Sequence, residues 1–187
     1  NLSSYKSMNN ELDVFIPIWT TTPWTLPANR AVALSNKINY VVVKTENKYL
    51  IIAKSLVARV MEKSGISDYE ILDDFKNDDF VDLELQHPFY DLTVPAITAD
   101  HVTDENGTGA VHIAPGHGTD DYLAGIKNNL EVYNPVDDYG RFIEALPIFG
   151  GMKIRDCNED IITLLKKNDC LLFSEDYEHS YPHCWRY

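Results

Sequence analysis

The chain is poor in cysteine, in basic residues and in long apolar runs, and each shortage excludes something. Its three cysteines, Cys157, Cys170 and Cys184, are scattered and form no C-x-x-C pair. That leaves no disulfide framework and no structural zinc cluster, and it fits a reducing, cytoplasmic compartment. No apolar run approaches the ~18 residues a membrane helix requires, so no membrane partner is expected. The start, Asn1-Leu2-Ser3-Ser4-Tyr5-Lys6, has no charged segment followed by an apolar one, so it does not read as a signal peptide. Lys and Arg number 16 against 29 Asp and Glu, a net charge of −13. Such acidity argues against a protein whose main task is gripping a phosphate backbone.

What is present is ordinary globular sequence. The 187 residues are 44% hydrophobic and 24% charged, which supports a proper core and argues against disorder over most of the length. One large domain over 1–187 is expected, with 1–12 a loose lead-in and 175–187 a segment leaving the fold. The chain lacks an initiator Met and stops at Trp185-Arg186-Tyr187, so a piece of a longer protein is expected, monomeric by default.

Val14 to Trp19 reads as a strand weakened by Pro17, and Thr20 to Asn29 as a stiff, turn-rich connection. Strands are expected at Ala31–Leu34, Tyr40–Thr45 and Tyr49–Ala53, the last two forming a hairpin across Glu46-Asn47-Lys48. Apolar residues at Leu56, Val57, Val60 and Met61 predict a helix that Gly65 stops. Phe80–Leu85, Thr93–Ala99 and Ala110–Ala114 read as further strands. Thr119 and Asp156 are the expected caps of two more helices, the second carrying an Ile161, Ile162, Leu164 and Leu165 stripe and ending near Asn168. The sum is α+β, a mainly antiparallel, barrel-like β core with a few peripheral helices.

Two clusters invite chemistry. Gly107-Thr108-Gly109-Ala110-Val111-His112-Ile113-Ala114-Pro115-Gly116-His117-Gly118-Thr119-Asp120-Asp121-Tyr122 has no Lys after its glycines, so it is not a phosphate loop. It has His112 where a dinucleotide fingerprint needs its third Gly, and no G-x-S-x-G occurs for a serine hydrolase. His112, His117 and Asp121 offer ligands for a metal-dependent hydrolase, although the five-residue step between the histidines fits no common metal spacing. The plain alternative is a tight turn with structural histidines. The second cluster is Thr20-Thr21-Thr22-Pro23-Trp24-Thr25, whose hydroxyls either line a polar pocket or satisfy turn backbone.

Trp19 to Ala31 resembles the threonine-rich motif of the editing domain of isoleucyl-tRNA synthetases. Gly107 to Tyr122 resembles that domain's second signature, and His179-Ser180-Tyr181-Pro182-His183-Cys184-Trp185-Arg186 the segment returning to the synthetase body. The motifs come in the expected order and span most of the chain. Related valyl and leucyl enzymes usually carry Arg-Pro where this chain has Thr22-Pro23, which favours the isoleucyl member. No HxGH or KMSKS signature is present, so amino-acid activation is not expected of this piece.

The resemblance implies hydrolysis of valine wrongly esterified to the isoleucine tRNA, and of valyl-adenylate. Isoleucyl-tRNA synthetases are the known example of the underlying limit: one missing methylene gives only roughly 10–200-fold selection, so a second, size-excluding site is needed. Asp121 is implied as acceptor for the substrate's ammonium, with Thr21 and Thr22 orienting water and carbonyl. Thr20, Trp24, Thr25 and Asn29 are implied around the pocket, and His112 as the size gate, with general base as its rival role. His117 is expected to be structural. No metal or cofactor is implied. The partners are the acceptor end of the isoleucine tRNA and the rest of the synthetase. A non-catalytic, tRNA-positioning insertion is the remaining alternative.

Overall fold

The structure, a computed structural model, describes residues 13–75 and 82–176. The lead-in 1–12, Phe80 and Val81, and the 179–186 motif lie outside the described residues. The strands are β1 (Asp13–Phe15), β2 (Ala31–Leu34), β3 (Tyr40–Lys44), β4 (Lys48–Ala53), β5 (Glu70–Phe75), β6 (Glu84–Gln86), β7 (Thr93–Thr98) and β8 (Val111–Ile113). The helices are α1 (Val57–Ser64), α2 (Thr119–Lys127) and α3 (Asn158–Lys167).

The hairpin β3–β4 is the densest part of the core. Val41, Val42, Val43, Leu50, Ile51 and Ile52 are all buried, so this β-branched run is covered on both faces. Its turn is closed by Thr45, whose Oγ1 donates to the Lys48 carbonyl at 2.9 Å and accepts the Lys48 N–H at 3.1 Å. β4 leads through a 3-10 turn at Lys54–Leu56 into α1, which buries Val57, Val60 and Met61 against the hairpin. Gly65, at φ +70°, ends α1 by donating its N–H to the carbonyls of Glu62 and Met61.

The α+β class holds, but the barrel-like expectation is corrected. Among the described residues there are two four-stranded sheets, ordered β1-β4-β3-β5 and β6-β7-β2-β8, and no closed barrel. Two pairings, β1 with β4 and β2 with β7, are parallel. The β1 strand stops at Phe15, two residues short of Pro17, which has no N–H to add to a ladder. Thr20–Asn29 holds a 3-10 helix at Pro23–Ala28, started by Pro23 at its first position. Both expected caps shift. Gly118 is the extended residue before α2, and Thr119 is already helical. Cys157 precedes α3, because a 3-10 turn over Ile154–Asp156 has already wound the backbone.

The two sheets meet where β8 begins. Tyr40 Oη on β3 donates to the Gly109 carbonyl at 2.6 Å and accepts the Ser35 N–H at 3.0 Å. Burial pushes the Tyr40 phenol up to about 12, so it stays a donor. Gly109 sits at φ +82°, and a Cβ there would lie 2.5 Å from the Ala53 Cβ. Ala53 N–H also donates to the Thr108 carbonyl at 3.0 Å. A second, smaller core joins Leu26, Phe142, Phe149, Cys157, Ile161 and Leu165, and so ties the 3-10 helix to α3.

Gly109→Ala combines strain at positive φ with overpacking, and is expected to destabilise by about 2–5 kcal/mol. Tyr40→Phe strands a buried carbonyl and N–H at about 1–3 kcal/mol. Urea midpoints check both, and unchanged midpoints would refute the joint.

Candidate functional site

The 3-10 helix and β8 come together because β2, which follows the first, pairs antiparallel with the second. Val32 stands opposite His112, and Arg30 N–H donates to the Ile113 carbonyl at 2.8 Å. The 3-10 turn is held by Thr25 N–H on the Thr22 carbonyl and Asn29 N–H on the Leu26 carbonyl, each 3.0 Å. From α3, Asn158 Oδ1 accepts the Trp24 N–H at 3.1 Å. Thr25 to Asn29 are buried, whereas Thr20 to Trp24 are half-buried. Thr20 Oγ1 accepts the Thr22 N–H at 3.1 Å and lies 3.4 Å from Thr22 Oγ1. The Thr21 hydroxyl has no hydrogen-bond partner among the described residues.

His112 is 7% exposed and tied at both ring nitrogens. Thr25 Oγ1 gives its one proton to the Thr22 carbonyl at 2.9 Å, so it must accept from His112 Nε2 at 2.9 Å. Nδ1 then carries the lone pair and accepts from Asn29 Nδ2 at 3.5 Å, while the same amide donates to the Ala31 carbonyl at 2.9 Å. The network therefore fixes one neutral tautomer. Burial, helped by the nearby His117 and His87, lowers the imidazole to about 4. A ring so placed is a wall and a poor base.

Asp121 opens α2 on the other side. Its Oδ2 accepts the Ala114 N–H at 2.9 Å, just after β8. Burial raises the carboxyl above its usual range, against the pull of that N–H and of His101. Oδ1 faces Gly118, 3.6 Å from where a Cβ would stand. The loop between is stiff, since a Cβ on Gly116 would fall 2.3 Å from the Tyr133 carbonyl. His117 projects from this loop and meets Trp24 edge-on, 5.1 Å between ring centroids. Thus Thr20, Thr21, Thr22, Trp24, Thr25, Asn29, His112, His117 and Asp121 all belong to two adjoining segments, one before β2 and one after β8. Thr25 and Asn29 spend their polar atoms on the wall. The metal reading fares badly: both His112 nitrogens and Asp121 Oδ2 are already engaged, and no metal-ligand group forms among the described residues. A separate cleft lined by Trp19, Arg59, Lys63 and Phe173 contains none of these side chains, and Lys63 there is paired with Glu175.

The family described as leucyl-tRNA synthetase, editing domain, matches residues 5–145. The chain belongs to the editing-domain family of aminoacyl-tRNA synthetases. It is 50% identical over 178 residues to an isoleucine–tRNA ligase of Coxiella burnetii, covering 93% of this chain and 19% of the relative. It is 48% identical to that of Vibrio campbellii, covering 94% and 19%. The chain therefore spans about a fifth of the length of these curated relatives. Among solved structures, the cytosolic leucyl-tRNA synthetase editing domain of P. knowlesi shares the fold at TM-score 0.67 and 13% identity, covering 89% of this chain and 87% of that one. That of P. falciparum gives 0.64 and 16%, covering 87% and 80%. No described helix is long and apolar enough to cross a membrane.

Reading motifs missed three supports of this editing-domain site. His87 holds the 3-10 helix, with Nε2 on the Leu26 carbonyl at 3.0 Å and Nδ1 accepting the Phe89 and Tyr90 N–H groups. His101 lies near enough to Asp121 to favour its ionised form against the effect of burial. Arg30 bonds the Asn29 carbonyl and Glu131 and stacks 4.1 Å over Tyr133, the residue against which Gly116 packs. Each is a lone polar residue in sequence, with nothing to mark its partner.

The pH dependence of stability follows from His112. Its folded value lies below the ordinary 6.5, so the unfolded chain binds the extra proton between the two. The contribution is whole above pH 6.5 and is lost as pH falls toward 4, roughly 3 kcal/mol in all. Denaturant midpoints between pH 7 and 4 check this. His112→Phe is expected to flatten the slope, and an equal slope in both proteins would contradict it.

Proposed function

We propose that this editing domain hydrolyses the ester of valyl-tRNA of the isoleucine type, and valyl-adenylate, in the cytoplasm, while excluding isoleucine by size. The observation that carries the reading is an immobilised His112 on β8 followed by a carboxylate, Asp121, whose Oδ1 has no hydrogen-bond partner among the described residues. A substrate's α-ammonium is met by that oxygen through a short, oriented, charge-assisted bond. Thr21 and Thr22, with neighbouring backbone amides, orient the carbonyl and the attacking water, and Thr20 steadies Thr22. An activated ester needs positioning more than a covalent nucleophile. His112 supplies the limit on side-chain size: its ring is tied at both ends and cannot swing aside for an extra methyl. Trp24 flanks the Thr segment.

The acidity of the chain fits this reading. The domain receives only the single-stranded acceptor end, and the rest of the synthetase supplies the basic surface for the tRNA body. The 19% share of the relatives' length supports such a division of labour.

In the full-length protein, valyl-tRNA is expected to be deacylated and isoleucyl-tRNA spared. Asp121→Ala should slow the valyl reaction about 100-fold. His112→Ala should raise isoleucyl hydrolysis about 5–150-fold, the equivalent of about 1–3 kcal/mol of relieved overpacking. Deacylation assays on both esters decide it, and variants indistinguishable from the parent would sink the assignment. Conversion of a bound, chelatable metal into an activity requirement would do so equally.

A further inference from the structure

Thr21 and Thr22 orient the water in the proposed reaction, but no group has yet been given to accept its hydrogen bond. His112 cannot serve, since Thr25 and Asn29 take both of its nitrogens. The Thr20 and Thr22 hydroxyls lean on each other. His117 differs from all of these. Its Nε2 is buried and finds no hydrogen-bond partner among the described residues. Native folds keep few such atoms, because an unpaired buried polar group destabilises them.

Its position gives that atom a use. The Pro115–Gly118 loop is pinned at both sides, by His117 N–H on the Ala114 carbonyl at 2.9 Å and by Gly116 against Tyr133. The ring therefore projects from a fixed base toward the Thr-rich segment, where it meets Trp24. It follows β8 and precedes α2, and it lies near enough to His112 to help lower that imidazole. Both residues of the His117–Trp24 pair are half-buried, so the pair stands near solvent although Nε2 itself is covered. Burial lowers the His117 imidazole from its ordinary value, which keeps a lone pair on the ring at neutral pH. The other buried nitrogen without a partner among the described residues is His101 Nε2.

Resting on the ester-hydrolase reading, we propose that His117 is a catalytic residue whose Nε2 accepts a hydrogen bond from the attacking water. The water oxygen forms the bond to the ester carbonyl carbon, and the carbon–ribose oxygen bond breaks. The water's proton ends on the departing ribose oxygen, and His117 is unchanged at the end. This gives His117 a role beyond the structural one expected of it.

The test compares the full-length parent protein with His117→Phe, His117→Gln and Asp121→Ala on valyl-tRNA, reading kcat, KM and melting temperature. Phe keeps the ring beside Trp24 without the nitrogen, and Gln returns a polar atom near Nε2. His117→Phe is expected to lower kcat about 100-fold with KM within about threefold, and Gln to recover at least about tenfold of it. Parental kcat in the Phe protein, a loss confined to KM, or no rescue by Gln at equal melting temperature overturns the proposal. Should Phe unfold the protein, a high-resolution structure of the parent decides: an ordered water on Nε2 supports the assignment, and its absence overturns it. Failure of the parent to hydrolyse the ester sinks the underlying reading. Hydrolysis lost in Asp121→Ala but intact in His117→Phe sinks only the role of His117.

Discussion

The close approach at Gly109 is the constraint on which the rest of this fold depends. Tyr40 reaches out of one sheet to a carbonyl at the foot of β8, and Ala53 presses where a side chain would otherwise stand. A residue with a Cβ would push β8 away from the hairpin. β8 carries His112, the loop after it carries His117, and that loop ends at Asp121. The placement of the whole second segment is thus inherited from one glycine between two buried strands. The first segment inherits its placement differently, through Asn158 and the small core around α3.

These two anchorages explain how a site can be built without a catalytic triad. The hydrogen bonds of Thr25, Asn29 and His112 are internal, and they spend polar atoms on rigidity. What is left among the described residues of the two segments is sparse: the Thr21 and Thr22 hydroxyls, one oxygen of Asp121 and one nitrogen of His117. For a labile bond that sparseness is adequate, because fixed geometry does most of what is required. Burial disfavours the charged form of both neighbouring histidines, and Asp121 brings a carboxylate beside them. That suits a substrate whose own charge at the reacting end is positive.

Local pattern made part of this legible. The hairpin, the helix stopped by Gly65 and the buried stripe of α3 are written in spacing, since each is set by neighbours within a few residues. The strand β5 was not, because Glu70-Ile71-Leu72-Asp73-Asp74-Phe75 has too many acids for an alternating pattern and owes its place to pairing with β3. The parallel pairings of β1 and β2 join segments far apart in sequence, which no local period encodes. The motif resemblance named candidate site residues, and in the structure they fall on two adjoining segments. It could not say which of them face inward. Thr25 and Asn29 look like pocket residues in sequence and turn out to hold a ring, while His117 looks like loop filler and has the spare nitrogen.

The double duty of Thr25 has an evolutionary consequence. Its hydroxyl gives a proton to Thr22 and takes one from His112, and only serine offers the same pair of bonds at comparable reach. A change at 25, 29 or 112 taken singly strands a buried partner of the other two. A lineage that retunes this wall for a different side chain must therefore cross a valley or move the three positions as a block. Exposed positions that share no such bonds are free to drift one residue at a time.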